Sequence, residues 1–201
     1  MALRDDGSIG RQGGVRLLAH VVSSLGVRRR AKRIFDIGAA ATSLILLSPI
    51  ILIVSVAVKI ESRGPFFSRE TLYGYGIRPI RALKFRSVKA CVEANRLNSR
   101  VTPVGRILRR TGIDELPQLL NVLRGEMSIV GPRPYTSRQD LFENRLMPLL
   151  NVKPGMTGWS QITESREGLR TTEQRIIDDL HYVENWSLLL DIKIILMTAF
   201  S

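Results

Sequence analysis

The chain has 201 residues, enough for one domain with a sizeable core, and its net charge of +12 favours an anionic partner such as nucleic acid, acidic lipid or a phosphorylated substrate. Aromatic residues make up 6% of the chain, which is thin for a base-stacking surface. Cys91 is the sole cysteine and the two histidines are far apart, so neither an intrachain disulfide nor a His/Cys metal cluster is indicated.

Residues 1–27 are glycine-rich and of mixed polarity, with a short apolar patch over residues 15–27. Arg16 and His20 interrupt that patch, and no small-residue cleavage site follows it cleanly, so a signal peptide is not indicated. We expect residues 1–31 to form a loose N-terminal arm, with room for one interfacial helix.

A long apolar stretch, residues 37–58, follows the basic run RRRAKR and carries no charge. As a straight helix it would be about 33 Å long at roughly 1.5 Å per residue, just enough to cross the hydrocarbon core of a bilayer. A buried core helix is the alternative, but a helix that is apolar on every side needs a larger soluble domain around it than the rest of this chain supplies.

The middle of this stretch holds Ser48-Pro49, where proline removes a backbone donor and favours a kink. Basic residues flank the stretch on both sides: residues 28–33 before it, and Lys59, Arg63 and Arg69 after it. Because positive residues tend to stay cytoplasmic, we favour a re-entrant helix over residues 32–62, broken at Ser48 and Pro49, that enters and leaves on one face. A spanning helix is the alternative.

After the apolar stretch, residues 65–86 read as a β-hairpin whose turn is marked by Gly74 and Gly76. Helices are predicted over residues 87–97, 104–110, 114–124, 136–147 and 171–184. The final segment, WSLLLDIKIILMTAFS, is apolar on most sides but contains Asp191 and Lys193, so it is too interrupted to span. We expect an amphipathic helix in the membrane interface, with docking onto the domain as the alternative.

Two adjacent acids, Asp114 and Glu115, stand among many cations. One interpretation is structural: Asp114 or Thr111 caps a helix and Glu115 occupies its first turn, where the helix dipole favours negative charge. Neighbouring residues on a helix point about 100° apart, so the two carboxylates need not do the same job.

The surrounding cations suggest a second interpretation, an anion-binding wall of Arg109, Arg110, Arg124 and Arg133. The planar fork of arginine suits phosphate, and Pro132 and Pro134 would hold Arg133 in one orientation. Mg²⁺ takes one or two carboxylates plus phosphate oxygens, so acids facing phosphate indicate metal-assisted phosphoryl transfer. Lys84 and Arg86 would add positive charge, or else form a solvated strand edge.

Seven blocks, in this order, make the chain resemble the bacterial sugar transferases, the monotopic phosphoglycosyl transferases that act on polyprenyl phosphate. They are KRIFDIGAA, LLSPIILI, RGPFFSRE, KFRSV, RVTPVGRILRRTGIDELPQLLNVLRGEMSIVGPRP, VKPGMTGWSQI and DLHYVENWSLLLDIKIIL. The resemblance covers most of the chain, from about residue 32 to residue 200. It implies transfer of a sugar 1-phosphate from a UDP-sugar to undecaprenyl phosphate, with release of UMP, as the first membrane step of exopolysaccharide or surface-glycan synthesis.

The resemblance also assigns residues. Asp114 matches the family's nucleophile, which forms an aspartyl–phosphosugar intermediate, and Glu115 matches the Mg²⁺ ligand. Lys84, Arg109, Arg133 and Asp179 match positions associated with phosphate, uridine or structural contacts. Arg86 and Arg110 are further substrate-binding candidates because of their positive charge, independently of the resemblance. The Ser48-Pro49 break matches the family's re-entrant membrane helix.

Several positions depart from the family pattern. Residues 163–167, TESRE, replace the common Asn-Gly-Arg-Asn and look nearer to members reading Trp-Arg-Gly-Glu, which favours glucose as the sugar. The turn GYGIRP moves one glycine relative to GxNGKP, residues 98–100 read Asn-Ser-Arg in place of Asp-Pro-Arg, and His181 stands where tyrosine is usual. None touches Asp114 or Glu115, so the departures bear on sugar choice more than on chemistry.

The expected fold class is α+β and mainly helical: a monotopic membrane protein with one re-entrant helix, interfacial amphipathic helices and a small β-hairpin. Residues 63–201 would form a catalytic domain on the cytoplasmic face of the bacterial inner membrane, in contact with anionic lipids and without nucleic acid as a partner. A homodimer is left open. The rival hypotheses are a catalytically silent membrane-interface adaptor of the same fold and a membrane-anchored nucleic-acid-binding protein.

Overall fold

The computed structural model describes residues 7–62, 64–88, 101–137, 148–168 and 171–199, with backbone alone for residues 7–28, 166 and 167. The chain divides within its first helix into two units, residues 1–35 and 36–201. Residues 7–35 of the first unit are helical, and Lys32 Nζ lies 6.0 Å from the centroid of the Phe35 ring.

The described part of the chain is mainly helical with two small sheets, which confirms the coarse fold class. The helices are α1 (Gly7–Glu61), α2 (Pro103–Thr111), α3 (Gln118–Arg124), α4 (Trp159–Glu167), α5 (Thr172–Glu184) and α6 (Leu188–Ala199). The strands are β1 (Phe67–Tyr73), β2 (Pro79–Phe85), β3 (Ser128–Val130) and β4 (Gly155–Thr157). Short 3-10 turns cover Tyr75–Ile77, Ile113–Glu115 and Leu149–Asn151.

Helix α1 begins at Gly7, so the expected N-terminal arm is helical in the part that the structure describes. Within the second unit its buried residues form one stripe, which includes Asp36, Ala40, Val54 and Val58. Many other apolar residues of α1 lie on the surface, with Ile60 81% exposed. The buried-core alternative is therefore wrong. By length and composition alone, residues 29–61 could cross a membrane.

Helix α1 continues through Pro49 without interruption. Proline lacks the N–H that would bond the carbonyl oxygen of Ile45, four residues back. The hydroxyl of Ser48 donates to that oxygen at 2.8 Å and supplies the missing hydrogen bond. The helix is therefore not broken at Ser48 and Pro49. The re-entrant course of α1 stays a prediction.

The predicted hairpin is confirmed. Strands β1 and β2 pair in antiparallel register from Phe67 opposite Phe85 to Tyr73 opposite Pro79. In the connecting turn, Gly76 has φ +61° and Ile77 has φ +59°. Glycine accepts a positive φ readily, whereas a β-branched residue there is a genuine outlier. The glycine displaced by one position in GYGIRP therefore leaves isoleucine in a strained conformation.

Replacing Ile77 by glycine is expected to stabilise the protein by about 1 kcal/mol, because the left-handed conformation costs an ordinary residue roughly that much. In a protein of this size the apparent melting temperature in detergent would rise by about 2–4 °C. The matched control is Gly76→Ala, which creates the same strain one residue earlier and lowers the melting temperature. A lower melting temperature for Ile77→Gly would show that the turn is not strained at this residue.

The main core lies between the hairpin, α3, β3 and the C-terminal helices, and buried polar side chains fix its elements. Asn121 of α3 accepts the N–H of Leu83 at 3.0 Å and donates to the carbonyl of Arg81 at 2.9 Å, which secures the outer edge of β2. Asp36 of α1 accepts hydrogen bonds from the hydroxyl of Ser128 and the N–H of Ile129 in β3. Strand β3 pairs with β4 in parallel.

The helix predictions had mixed outcomes. Helices α2 and α5 are confirmed, and α5 starts with a capping box at Thr171. The helix predicted over residues 114–124 is wrong in its first turn, because α3 begins at Gln118. Of the helices predicted over residues 87–97 and 136–147, the described ends (87–88 and 136–137) are not helical and the remainder lies outside the described residues. Helix α4 was not predicted.

Helix α6 docks onto the core, as the alternative interpretation held. Asp191 and Ile194 are buried completely, and Asp191 accepts hydrogen bonds from the hydroxyl of Tyr182 at 2.8 Å and from the indole of Trp186 at 3.2 Å. The opposite side of the helix leaves Leu189 79% exposed, with Ile192 and Leu196 also on the surface. Its place in a membrane interface remains a prediction.

Candidate active site

Asp114 and Glu115 occupy a tight turn between two helices. Helix α2 ends at Thr111, and Gly112, with a φ of +67°, links it to the 3-10 turn Ile113–Glu115. Asp114 does not cap α3, because the capping position is Pro117 and no side chain bonds there. Thr111 is no cap for α3 either, since its hydroxyl donates to the carbonyl of Ile107 within α2. The capping interpretation is wrong.

Asp114 is 9% exposed and lies at the wall of a cavity of about 560 Å³. Burial raises the pKa of the Asp114 carboxyl, and the neighbouring Glu115 charge acts in the same direction. The charges of Lys84 and Arg109 and the backbone N–H of Asp114 itself oppose the shift without cancelling it. A more basic carboxylate is a stronger nucleophile, so this environment suits covalent chemistry.

Lys84 joins the hairpin to the acidic turn. Its ammonium group lies 2.9 Å from Oε1 of Glu115 and 2.9 Å from Oε2 of Glu70. Partial burial acts to lower the pKa of Lys84, but the hydrogen bonds and charges of Glu115 and Glu70 outweigh it and raise the pKa. Lys84 stays charged at neutral pH and is no solvated strand edge.

The predicted arginine wall is only partly assembled. Arg109 lines the 560 Å³ cavity, and its Nε donates to the hydroxyl of Ser87 at 2.8 Å. Arg110 and Arg124 are exposed and line neither cavity described here. Arg86 is buried, and its Nη2 donates to the carbonyl and the hydroxyl of Ser62, each at 2.7 Å. The solvated-edge alternative is therefore wrong for Arg86 too, and its contacts are structural.

A second cavity of about 170 Å³ adjoins the first and shares Glu70, Lys84 and Glu115 with it. Its other lining residues include Gln118, Arg133 and Gln161. The two cavities place cationic groups on both sides of the shared carboxylates, which is an arrangement that suits a diphosphate.

Asp179 lines neither cavity, but it contacts Arg133, which lines the second one. It is 2% exposed, and its Oδ2 accepts the backbone N–H of Arg133 at 3.0 Å. Burial raises its pKa to about 6, against the hydrogen bond that it accepts from the Arg133 backbone. The resemblance implied a phosphate, uridine or structural contact for Asp179, and its contact with the Arg133 backbone is a structural one.

A divalent cation fits the donor set at Glu115. Within the described residues no cluster of three or more His, Cys, Asp or Glu side chains could hold a metal alone. Mg²⁺ usually takes one or two carboxylates and completes its shell with water and substrate phosphate, so a closed cage is not required. Glu115 is 37% exposed at the side chain and lines both cavities, so its carboxylate is accessible to an ion.

Sequence reasoning missed Glu70 and Glu164. Glu70 lies diagonally from Lys84 on one face of the hairpin, since Ser68 is opposite Lys84 and Glu70 is opposite Ala82. That register could have been read from the hairpin once its turn was placed. Glu164 contacts Arg133 from a helix whose sequence gave no periodic signal.

A family model and several known proteins match most of the chain. The family model "Bacterial sugar transferase" matches residues 27–201. A protein of Escherichia coli (strain K12) named UDP-glucose:undecaprenyl-phosphate glucose-1-phosphate transferase is 43% identical over 189 residues, which are 87% of this chain and 40% of that protein. A Caulobacter vibrioides protein of the same name is 43% identical over 84% of this chain and 68% of its own length.

A third relative, the exopolysaccharide production protein PSS of Rhizobium leguminosarum, is 37% identical over 191 residues, or 85% of this chain and 94% of that protein. The chain thus spans about two fifths of the E. coli relative and nearly all of the Rhizobium one. The family model covers 175 of 201 residues (27 to 201) and includes every candidate site residue named above. The chain therefore belongs to the bacterial sugar transferase family.

Proposed function

We propose that the protein transfers a sugar 1-phosphate from a UDP-sugar to undecaprenyl phosphate and releases UMP. The observation that carries the proposal is the cavity in which buried Asp114 meets Glu115, Lys84 and Arg109. The names of the relatives support a sugar-phosphate transfer to polyprenyl phosphate, with UDP-glucose as the donor we favour. The exopolysaccharide relative supports a role in surface-glycan synthesis.

The first half-reaction begins with Asp114. A carboxylate oxygen attacks the β-phosphorus of the donor, the bond from that phosphorus to the oxygen bridging the two phosphates breaks, and UMP leaves with the electron pair. The product is an aspartyl–phosphosugar. A carboxylate nucleophile of this kind divides one difficult displacement into two easier ones.

The second half-reaction regenerates the enzyme. A phosphate oxygen of undecaprenyl phosphate attacks the same phosphorus, the bond to Asp114 breaks, and the free carboxylate returns. The anomeric carbon takes part in neither step, so the configuration of the sugar is retained.

The chain's cations have distinct tasks in this scheme. Lys84 lies at the boundary of the two cavities, where it can contact the diphosphate beside the reacting phosphorus. Arg109 and Arg133 approach from opposite cavities and bind phosphate oxygens, with Arg109 oriented by Ser87. Their charges offset the negative charge that accumulates on the leaving UMP.

Glu115 would hold Mg²⁺. When bound there, the ion neutralises diphosphate charge and assists departure of UMP. Glu115 must then share its oxygens between the ion and Lys84, whose ammonium bonds it at 2.9 Å. Glu70 gives Lys84 a second partner and keeps its ammonium at the site when the contact with Glu115 is weakened.

The same proposal places the protein on the cytoplasmic face of the bacterial inner membrane. Basic residues at both ends of the apolar stretch and an anionic leaflet favour a re-entrant α1, and the exposed residues of α6 suit the interface. The Ser48 hydroxyl satisfies the carbonyl left free by Pro49, which lets a bent helix persist in lipid.

The decisive experiment measures UMP release by the detergent-solubilised protein from a panel of UDP-sugars, with Mg²⁺ and undecaprenyl phosphate. We expect release with one sugar, and UDP-glucose is the favoured donor. No release with any donor would contradict the proposed reaction and return attention to an adaptor role.

Topology is tested by cysteine labelling. In a Cys91→Ser background, Arg30→Cys and Arg69→Cys are expected to react with an impermeant maleimide from the cytoplasmic side only. Pro49→Leu is expected to straighten α1 and move the Arg30→Cys label to the other side. Labelling of the two positions on opposite faces without Pro49→Leu would overturn the re-entrant model.

A further inference from the structure

Glu164 of α4 bridges two arginines from different parts of the fold. Its Oε2 accepts from Nη1 of Arg133 at 3.0 Å, and its Oε1 accepts from Nη2 of Arg175 at 2.5 Å. Both oxygens of one carboxylate are therefore engaged, and the side chain is 20% exposed. One of the arginines lines the smaller cavity, and the other belongs to α5.

Arg133 is held at two points, its backbone N–H and one nitrogen of its guanidinium group. Its backbone N–H bonds Asp179 and its Nη1 bonds Glu164. Among the described residues, none accepts a hydrogen bond from its Nε or Nη2. A guanidinium fixed at the backbone and at one nitrogen presents the other nitrogens in a limited range of directions, which is what binding of a phosphate oxygen requires.

The combined charge of Glu164, Arg133 and Arg175 is positive, which favours binding of an anion. Glu164 alone would neutralise Arg133 and weaken its attraction for phosphate. Because Arg175 pairs with the same carboxylate, the three side chains together carry a net charge of +1, from two cations and one anion. Glu164 can therefore orient Arg133 without cancelling the positive potential at the cavity.

We propose that Glu164 is a positioning residue for the sugar-nucleotide donor: it holds the Arg133 guanidinium in the direction that binds the donor's diphosphate. This inference rests on the proposed function and deepens it. It also gives a task to the segment TESRE, which departs from the family pattern at this point. Glu164 acts through Arg133 and makes no contact with the reacting atoms.

A purely structural role for Glu164 is the competing explanation, because its contact with Arg175 joins α4 to α5. A second contact does the same: the hydroxyl of Thr163 donates to Asp178 at 2.7 Å. This second contact allows the two roles to be separated. Thr163→Val removes one link between the helices and leaves Glu164 paired with both arginines, whereas Glu164→Gln removes the charge that holds Arg133.

The experiment compares donor KM, kcat and the apparent melting temperature for Glu164→Gln, Glu164→Asp and Thr163→Val, with UMP release as the assay. Glu164→Gln is expected to raise donor KM by about five- to tenfold with kcat within about threefold, and Glu164→Asp to recover part of that loss. Thr163→Val is expected to lower the melting temperature while donor KM stays within about twofold. In an Arg133→Met background, Glu164→Gln should have no further effect on KM.

Equal KM changes for Glu164→Gln and Thr163→Val would overturn the inference, and so would an undiminished Glu164→Gln effect in the Arg133→Met background. Calorimetric binding of UDP to the same variants makes the comparison without turnover. Failure of the proposed function shows separately, as absence of UMP release by the unmodified protein. Even then, equal UDP affinities for Glu164→Gln and the unmodified protein would rule out the positioning role.

Discussion

Asp114→Asn is expected to reduce UMP release by roughly a thousandfold or more, because the amide cannot form the acyl phosphate on which both half-reactions depend. The change is nearly isosteric, and Asp114 caps no helix, so folding should be little affected. Removing a desolvated carboxyl of raised pKa should even leave the protein slightly more stable at neutral pH. Loss of activity without loss of stability is the expected signature.

The measurement pairs UMP release with intact mass spectrometry after incubation with donor alone. The unmodified protein should gain the mass of one sugar phosphate on the peptide containing Asp114, and the variant should gain none. Glu173→Gln is the matched control, an exposed carboxylate in the first turn of α5. Full activity of Asp114→Asn would exclude the covalent route, whereas an adaptor would show no activity to lose in either form.

Glu115→Gln is expected to lose most of the activity, by about a hundredfold, and to flatten the dependence of rate on Mg²⁺ concentration. The amide cannot supply an anionic oxygen to the ion, and Lys84 loses one of its two partners. Direct titration of Mn²⁺ in place of Mg²⁺, followed by electron paramagnetic resonance, should show weaker metal binding in the presence of UDP.

Glu70→Gln separates the two consequences of the Glu115 change. It also removes one partner of Lys84, yet leaves Glu115 intact, so its expected effect is a severalfold loss of rate with a preserved metal response. A normal Mg²⁺ response in Glu115→Gln would remove Glu115 from the metal site. Equal loss of metal binding in both variants would indicate that Glu70 and Glu115 share the ion.

Elements specified by local chemistry were predicted well. The hairpin follows from alternating residues around a glycine turn, and α2 and α5 start at Thr102 and Thr171, whose side chains cap them through contacts within the local sequence. Helix α4 has a polar sequence without a strong apolar stripe, and it is held by packing of Ile162 and by the Thr163–Asp178 contact. Those interactions involve a distant segment, so no local sequence pattern predicts the helix.

The site residues show the same difference between local and distant interactions. Asp114 and Glu115 stood out because unusual neighbours surround them in the chain. Glu164 lies 31 positions from Arg133 in the chain, so only the packing reveals their contact, whereas the contact of Glu70 with Lys84 follows from the register of the hairpin. Proline at position 117 supplies no N–H to an early helical turn, and the chain forms a separate turn before α3 instead of the predicted continuous helix.

The buried residues of α1 determine whether a shortened form of the protein can be prepared. Val54 and Val58 share a hydrophobic cluster with Phe85 of the hairpin and Leu108 of α2, next to the turn that carries Asp114. A truncated protein that starts after Glu61 would expose this cluster to water and loosen the wall behind the active site. The apolar helix is thus a structural part of the catalytic unit, so a water-soluble catalytic fragment is not obtained by cutting it away, and inhibitor screening needs the intact chain in detergent or lipid.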